Sequence, residues 1–413
     1  MEKPTQVRIL KDLMRMLDAK ENVDAGVMYR NPTSVYTCPD IAAREWRSFF
    51  KGHTQLIGLS SDLPKAGSYL TLDDFGVPVL ATRGKDGKCR AFLNVCRHRG
   101  VQVVQGDKGT QSAFSCPFHN WTYNNQGDLI AIPDEHQFGE IDKSCHGLIS
   151  LPMEERHGML WVHPDPGGVL DLDAMLGALQ PELASWKFEN LVAMGETTIA
   201  MRLNWKLAND TFGETYHFDK LHKNTLGRVT YASCLNYETF ERNHRFVFPR
   251  RMIDELRDKP EADWRLTDGA TTLYFLFPNI QFIIGNGSIN IVRMYPDPAD
   301  PTDPSRSISK INHYFTKGAI AAAAEIDGHG DNANSESVYD ISKNSTGVPS
   351  LNAIKEVFNS TIEQEDYLMG ETTQRAAETG MMEHIIFGRN EPALHHYHQT
   401  FRAALQMPPL EPF

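Results

Sequence analysis

Two short loops carry most of the constraint in this sequence. One reads NVCRHRG, with Cys96 and His98; the other reads SCPFHNWTY, with Cys116 and His119. Seventeen residues separate His98 from Cys116. Thiolates and neutral imidazoles are ligands for borderline-soft metals, so two Cys–His pairs at this spacing point to one centre closed by two loops. Four unrelated core residues are the plain alternative, but such residues rarely fall into two matched pairs. The other cysteines, Cys38, Cys89, Cys145 and Cys234, are scattered. They read as small core or strand residues, not as a disulfide framework.

Tetrahedral zinc accepts two thiolates and two imidazoles. So does a [2Fe–2S] cluster with two Cys on one iron and two His on the other, the Rieske arrangement. Zinc sites usually build each knuckle from C-x-x-C. Here each loop offers one Cys and one His and must reach both metals, which selects the two-iron cluster.

Composition limits the rest. A chain of 413 residues with 41% hydrophobic content is long enough for two or three domains. A net charge of −12 argues against nucleic acid and anionic membranes as partners. The opening MEKPTQVRILKDLMRMLD has no apolar signal region, and no apolar run approaches the roughly 18 residues that span a bilayer. A cytoplasmic chain is expected. Residues 1–40 read as a helix and an extended arm. From 41 to 165, short strands such as VPVLATR, RAFLNVC and GMLWVHP alternate with turns, the pattern of a small all-β domain. PDPGG at 164–168 is a plausible boundary. Beyond it, TTLYFLFPNIQFIIG, the NG at 286–287 and SINIVRMYP read as a hairpin of two long strands. DPADPTDPSR (297–306) reads as an exposed loop before another strand, SISKINHYFT.

Ser350 is placed to cap a helix running to Gly380. Its apolar stripe reads Leu351, Ile354, Phe358 and Ile362, and continues to positions 366 and 369. Met369 suits that stripe and Asp366 does not. A core-facing carboxylate costs several kcal/mol unless paired, so Asp366 needs a salt-bridge partner or a metal. Upstream, LANDTFGETYHFDKLH (207–222) holds Asp210, Glu214, His217 and His222. Residues five apart in an ideal helix lie about 140° apart round the axis. His217 and His222 can therefore share a metal only if the helix breaks or bulges between them. Two surface histidines with acidic neighbours are the plain alternative. Two His with one distant carboxylate form the facial triad of non-haem iron(II) oxygenases, and a protease-like H-E-x-x-H is absent.

The run CRHRG…CPFHNWTY resembles the Rieske signature of the aromatic-ring-hydroxylating oxygenases, the Rieske non-haem iron oxygenases, in their catalytic α subunit. Asn120 stands where that family usually has Gly, and Asn tolerates a left-handed backbone better than most residues. Residues 204–222 are similar to the same family, whose α subunits carry an acid, then Tyr-His, then a second His five later, after an NWK like Asn204-Trp205-Lys206. The family's third iron ligand lies in a segment resembling EQEDYLMGETTQ, and the resemblance maps it onto Asp366. Glu363 and Glu365 are nearby alternatives, but neither falls on the stripe. The closing FGRNEPALHHYHQTFRAAL is similar as well.

This resemblance implies an α+β fold, with a Rieske all-β domain (41–165) inserted near the N-terminus of a helix-wrapped antiparallel-sheet catalytic domain (166–413). The N-terminal helix and arm (1–40) would belong to the catalytic domain. It implies a [2Fe–2S] cluster on Cys96, His98, Cys116 and His119, and a mononuclear Fe(II) on His217, His222 and Asp366. Electrons would come from NAD(P)H through a separate flavin and iron–sulfur reductase, or a ferredoxin. With O2 they would serve dihydroxylation, monooxygenation or oxidative demethylation of a small organic substrate, aromatic in the first reading. The subunits would form a homotrimer in which Glu214 links His217 to His119 of an adjacent subunit. Asp210 is a candidate supporting acid beside them. Glu214, where ring dioxygenases generally have Asp, is similar to members acting on choline-, betaine- or carnitine-like compounds, which keeps a quaternary ammonium substrate open. A Rieske electron carrier without oxygenase activity is the rival of a different class, and the long chain beyond the β domain counts against it.

Other features are weaker. Arg97 and Arg99 could raise the cluster potential, dock an acidic reductase, or simply be exposed. His395 and His398 in HHYH read as part of a surface helix. Aromatics in 225–295, Phe246, Tyr274, Phe275, Phe277 and Phe282 among them, could line a pocket or a cation–π cage, and most read as core.

Overall fold

The structure is a computed structural model that describes residues 1–324 and 350–413, divided into two compact units. One comprises Glu45–Leu172 with Lys187–Asn190; the other comprises Met1–Arg44, Asp173–Trp186 and Leu191–Phe413. Among the described residues, no helix is long and apolar enough to cross a membrane.

The smaller unit is built from short antiparallel strands. Its main sheet orders Ser150–Leu151, Cys89–Leu93, Val79–Arg83, Ser68–Leu72 and Lys108–Thr110. Val79–Arg83 and Cys89–Leu93 form where the strand-and-turn pattern puts them, with Arg83 opposite Cys89. The turn between them closes at Gly87, whose φ of +77° suits a residue without a Cβ. Two three-stranded sheets complete the unit: Met153–Arg156, Met159–Val162 and Gln55–Leu59, then Ala113–Ser115, Thr122–Asn124 and Leu129–Ala131. Tyr69, Leu80, Phe92, Phe114, Trp121 and Tyr123 form one apolar cluster with Cys96 and Cys116. The expected boundary at 165 omits a short return of chain at Lys187–Asn190. A Cβ on Gly158 would lie 2.4 Å from the backbone nitrogen of Glu189, so that close approach needs glycine.

The larger unit centres on a seven-stranded antiparallel sheet, in the order Val192–Met201, Ser307–Phe315, Ser288–Pro296, Ile280–Ile284, Ala270–Leu276, Asn243–Pro249 and Asn236–Phe240. Ser288–Pro296 is buried at nearly every position, with the helix Trp205–Asp210 packed on it, and its polar side chains Asn290 and Arg293 are bonded to His313 and to Glu196 with Asn312. The expected hairpin of two long strands is instead a three-stranded meander. Ala270–Leu276 and Ile280–Ile284 are separate strands, because Pro278 has no N–H to offer a ladder. Asn243 Oδ1 and Asn279 Nδ2 satisfy the turn, bonding Phe277 N (3.0 Å) and Met294 O (2.9 Å).

Ser350 caps its helix, its Oγ accepting from Ala353 N at 3.2 Å. The helix runs Leu351–Thr361, widens into a π turn at Ile362–Asp366 and resumes as Tyr367–Glu378, with Gly380 at φ +68° beyond it. The π turn inserts a residue into the helical count. The buried face then passes through Tyr367, Gly370 and Gln374, and Met369, expected on the apolar stripe, is 43% exposed. The HHYH segment also departs from expectation. It lies on Pro392–Ala404, where His395 and His398 are buried, so this is a core helix.

Candidate metal centres

The two Cys–His loops are near copies in backbone bonding. Cys96 N donates to Val101 O (2.8 Å) and Gly100 N to Cys96 O (2.9 Å); Cys116 N donates to Trp121 O (2.9 Å) and Asn120 N to Cys116 O (2.9 Å). In each loop the residue four beyond the cysteine has positive φ, +76° at Gly100 and +57° at Asn120. Asn120 thus fills a position that demands a left-handed backbone, which Asn accepts more readily than other side chains.

Both thiols are buried and free. Burial, and then the neighbouring Cys96 thiol, pushes Cys116 up, while backbone N–H groups of Phe118 and His119 pull the other way. The rings of His98 and His119 lie 4.6 Å apart, and His98 stacks on Trp121 at 5.0 Å. Burial, His119 and Arg99 lower the His98 pKa, so its ring is neutral. His98 Nδ1 is buried without a hydrogen-bond partner. An unpaired polar nitrogen close to a second imidazole, on loops that also carry two buried thiols, fits a cluster held by two sulfurs and two nitrogens. Tyr123 braces the first loop: its hydroxyl accepts from Arg97 N at 3.0 Å and lies 3.4 Å from Cys96 Sγ.

In the larger unit, Asn204 caps Trp205–Asp210 by accepting from Lys206 N at 3.0 Å. Regular helix ends at Asp210. The chain from there to Thr225 makes separate turns, closed by Gly213 N to Asp210 O (2.9 Å), Leu221 N to His217 O (2.8 Å) and Thr225 N to His222 O (2.9 Å). The angular mismatch of an ideal helix therefore does not arise. His217 Nε2 and His222 Nε2 lie 3.1 Å apart, with Asp366 Oδ1 at 3.4 and 3.2 Å from them. Metal–ligand bonds of about 2.1 Å at octahedral to tetrahedral angles put neighbouring ligand atoms about 3.0–3.4 Å apart. The triangle matches three ligands of one ion.

Carboxylates set the direction of both rings. His217 Nδ1 donates to Glu214, and His222 Nδ1 to Glu365 Oε2 at 2.6 Å, which turns each Nε2 toward Asp366. Thr225 Oγ1 donates to Glu365 at 2.9 Å. Burial alone would lower His217, yet Asp366 and Glu214 overcome it and push it up to about 10. His222 is raised for the same reason, with Asp366 outweighing burial. Burial would raise Asp366, but the two imidazoles hold it down. The field favours a cation at this point, whether proton or metal.

A cavity of about 220 Å³ is lined by the triangle, by Glu214 and by five phenylalanines: Phe212, Phe218, Phe246, Phe248 and Phe358. Of the aromatics expected to line a pocket, Phe246 does so. Tyr274, Phe275, Phe277 and Phe282 are buried away from it. Phe246 and Phe248 point the same way because strand residues two apart share a face. Among the described lining residues there is no Lys or Arg.

Asp210 does not touch the metal-site imidazoles. It accepts from Tyr36 Oη at 2.7 Å and meets His398 Nε2 at 2.9 Å. With Glu214, His217, Asp366 and Glu391 it lines a second cleft of about 640 Å³. Arg97 donates to Gly147 O at 3.0 Å, and Arg99 lies over the Phe118 ring at 5.2 Å. Sequence reasoning set Glu365 aside as lying off the helical stripe; the π turn is what lets adjacent Glu365 and Asp366 serve one site. The acid run EQED was the available signal. Nothing in the spacing pointed to Tyr36 or Tyr123.

Residues 188–407 match the family described as ring hydroxylating alpha subunit (catalytic domain), and residues 53–150 match the Rieske [2Fe-2S] domain. The chain is 31% identical to the glycine betaine monooxygenase oxygenase subunit of Chromohalobacter salexigens over 48% of its length, and 30% identical to the biphenyl 2,3-dioxygenase subunit alpha of Rhodococcus jostii, also over 48%. These alignments span 44% of each relative, less than half its length. In fold, a quaternary ammonium Rieske monooxygenase superposes with a TM-score of 0.72, over 92% of this chain and 96% of that one, at 18% identity. With its Rieske domain placed ahead of the matched catalytic domain, the chain belongs to the ring-hydroxylating α-subunit family of Rieske non-haem iron oxygenases.

Proposed function

We propose that the chain is a terminal oxygenase. It takes electrons from a separate reductase, and O2, and hydroxylates a small, apolar, chiefly aromatic molecule. The observation that carries this reading is the phenylalanine-lined cavity that opens on the His217–His222–Asp366 triangle. A pure electron carrier has no use for a second metal triangle facing an apolar chamber. When bound, iron on these three residues supplies O2 activation, with electrons from a [2Fe–2S] cluster on Cys96, His98, Cys116 and His119. Glu214 and Glu365 hold the Nδ1 protons and fix both imidazoles. The phenylalanines keep water from the triangle and hold an apolar ring by contact. Glu214 touches His217 and also lines the second cleft, which supports its role as the link to His119 of an adjacent subunit in a homotrimer.

A second reading has a quaternary ammonium substrate. It is favoured by the betaine monooxygenase relative and by phenylalanine faces suited to cation–π contact. Reductase- and NADH-dependent O2 uptake, screened with product analysis over aromatic and trimethylammonium compounds, tests both. Substrate-dependent uptake coupled to a hydroxylated ring is expected. Coupling only to trimethylammonium compounds selects the second reading, and cluster turnover with no coupled product for any compound contradicts the oxygenase assignment.

A further inference from the structure

Most polar groups on the cavity wall are already engaged. Thr211 and Thr361 donate their hydroxyl protons to Ala208 O (2.9 Å) and Val357 O (2.8 Å). Asn290 is different. It lines the cavity from Ser288–Pro296, directly opposite His313 on Ser307–Phe315. Its Oδ1 lies 2.8 Å from His313 Nδ1. His313 is fully buried, and burial, with Lys355 nearby, lowers its pKa to about 4, so the ring is neutral. A neutral imidazole carries one N–H, and the acceptor at Nδ1 places it there. Asn359 lies beside the ring as well and acts to raise its pKa, without offsetting burial. The amide oxygen of Asn290 is therefore held toward His313, and its NH2 is turned away with no protein acceptor among the described residues.

We propose that Asn290 determines specificity: its amide NH2, aimed by His313, donates a hydrogen bond to one uncharged acceptor on an otherwise apolar substrate. The acceptor is uncharged because no Lys or Arg lines the cavity among the described residues, and a carboxylate desolvated there would lose more than one amide returns. This rests on the cavity being the substrate site of the proposed oxygenase, and it names the substrate class: aryl ketones, aryl ethers and phenols over plain hydrocarbons. His313 is a positioning residue that acts through Asn290.

The test is equilibrium dialysis of the iron-loaded full chain, without reductant, against the shape-matched pair 1-indanone and indane. Wild type is expected to bind the ketone about tenfold more tightly. Asn290→Leu should bring that ratio to about one while indane affinity stays within roughly threefold. Asn290→Ser, with the same expected loss, serves if the leucine variant does not fold. His313→Phe should also lose the preference because the amide is free to turn, and His313→Gln, which restores a side-chain N–H donor, should recover most of it. Equal binding of the two probes by wild type, or a preference that survives Asn290→Leu, overturns the proposal. Dialysis involves no turnover, so equal binding of the two probes by the wild type refutes the role of Asn290 alone. Intact selectivity without any substrate-coupled O2 uptake refutes the oxygenase reading alone.

Discussion

At the scale of single residues, the proposed mononuclear centre sets a proton against a metal for two imidazoles. His217 in the metal-free chain is pushed up to about 10 by Asp366 and Glu214 in spite of burial. That raised value stabilises the metal-free fold fully below the ordinary histidine range, and the contribution is lost as pH rises through about 10. Metal binding must expel the proton, so apparent affinity should rise by up to about tenfold per pH unit for one proton and level off above about pH 10. Cobalt(II) titrations near neutral pH and near pH 8.5 would read this slope directly, and a flat profile contradicts it. His217→Ala should lose about one iron per chain and all product formation while the visible spectrum of the cluster is unchanged. Glu365→Gln keeps the shape of its side chain but weakens the hold on His222 Nδ1, and should lower metal affinity by about 10- to 100-fold. Metal analysis after dialysis against graded chelator measures it.

At the scale of elements, the two cluster loops are one device used twice. Each closes the same pair of backbone hydrogen bonds around its cysteine and needs a left-handed residue four positions on. Asn120→Gly should therefore be tolerated with an unchanged cluster spectrum, whereas Asn120→Val should cost about 1–2 kcal/mol and speed bleaching in air. Similar bleaching rates for the two variants would contradict the equivalence of the loops. The long helix shows what spacing alone misses. Its apolar stripe drew attention to Asp366 as an anomaly, but the period of a regular helix cannot announce a π turn, and the count fails after it at Met369. The meander at 270–296 has the same lesson in strand form: an apolar run long enough for one strand was divided by Pro278.

At the scale of the whole molecule, Glu214 is where the proposed assembly can be probed. Glu214→Gln should leave the cluster and, at saturating iron, the mononuclear site filled. Chemical reductant should still bleach the cluster, yet electron arrival at the mononuclear iron should slow by orders of magnitude in single-turnover kinetics. Near-normal kinetics would remove Glu214 from the route. The candidate ligand pairs and the order of the two domains were legible in the sequence, because metal coordination demands particular atoms at short separations, and strand and turn chemistry is local. Asp366 was visible as a carboxylate where an apolar residue belongs. What faces the cavity was not legible, because Phe212 with Phe218, Phe246 and Phe358 come from three segments far apart in the chain. The HHYH helix looked like a surface element from its composition. His398 is buried because Asp210 and Tyr36, from two other elements, supply its partners. Local chemistry marked the candidate metal ligands, and only the packing of distant segments decided which groups orient them and which rings surround them.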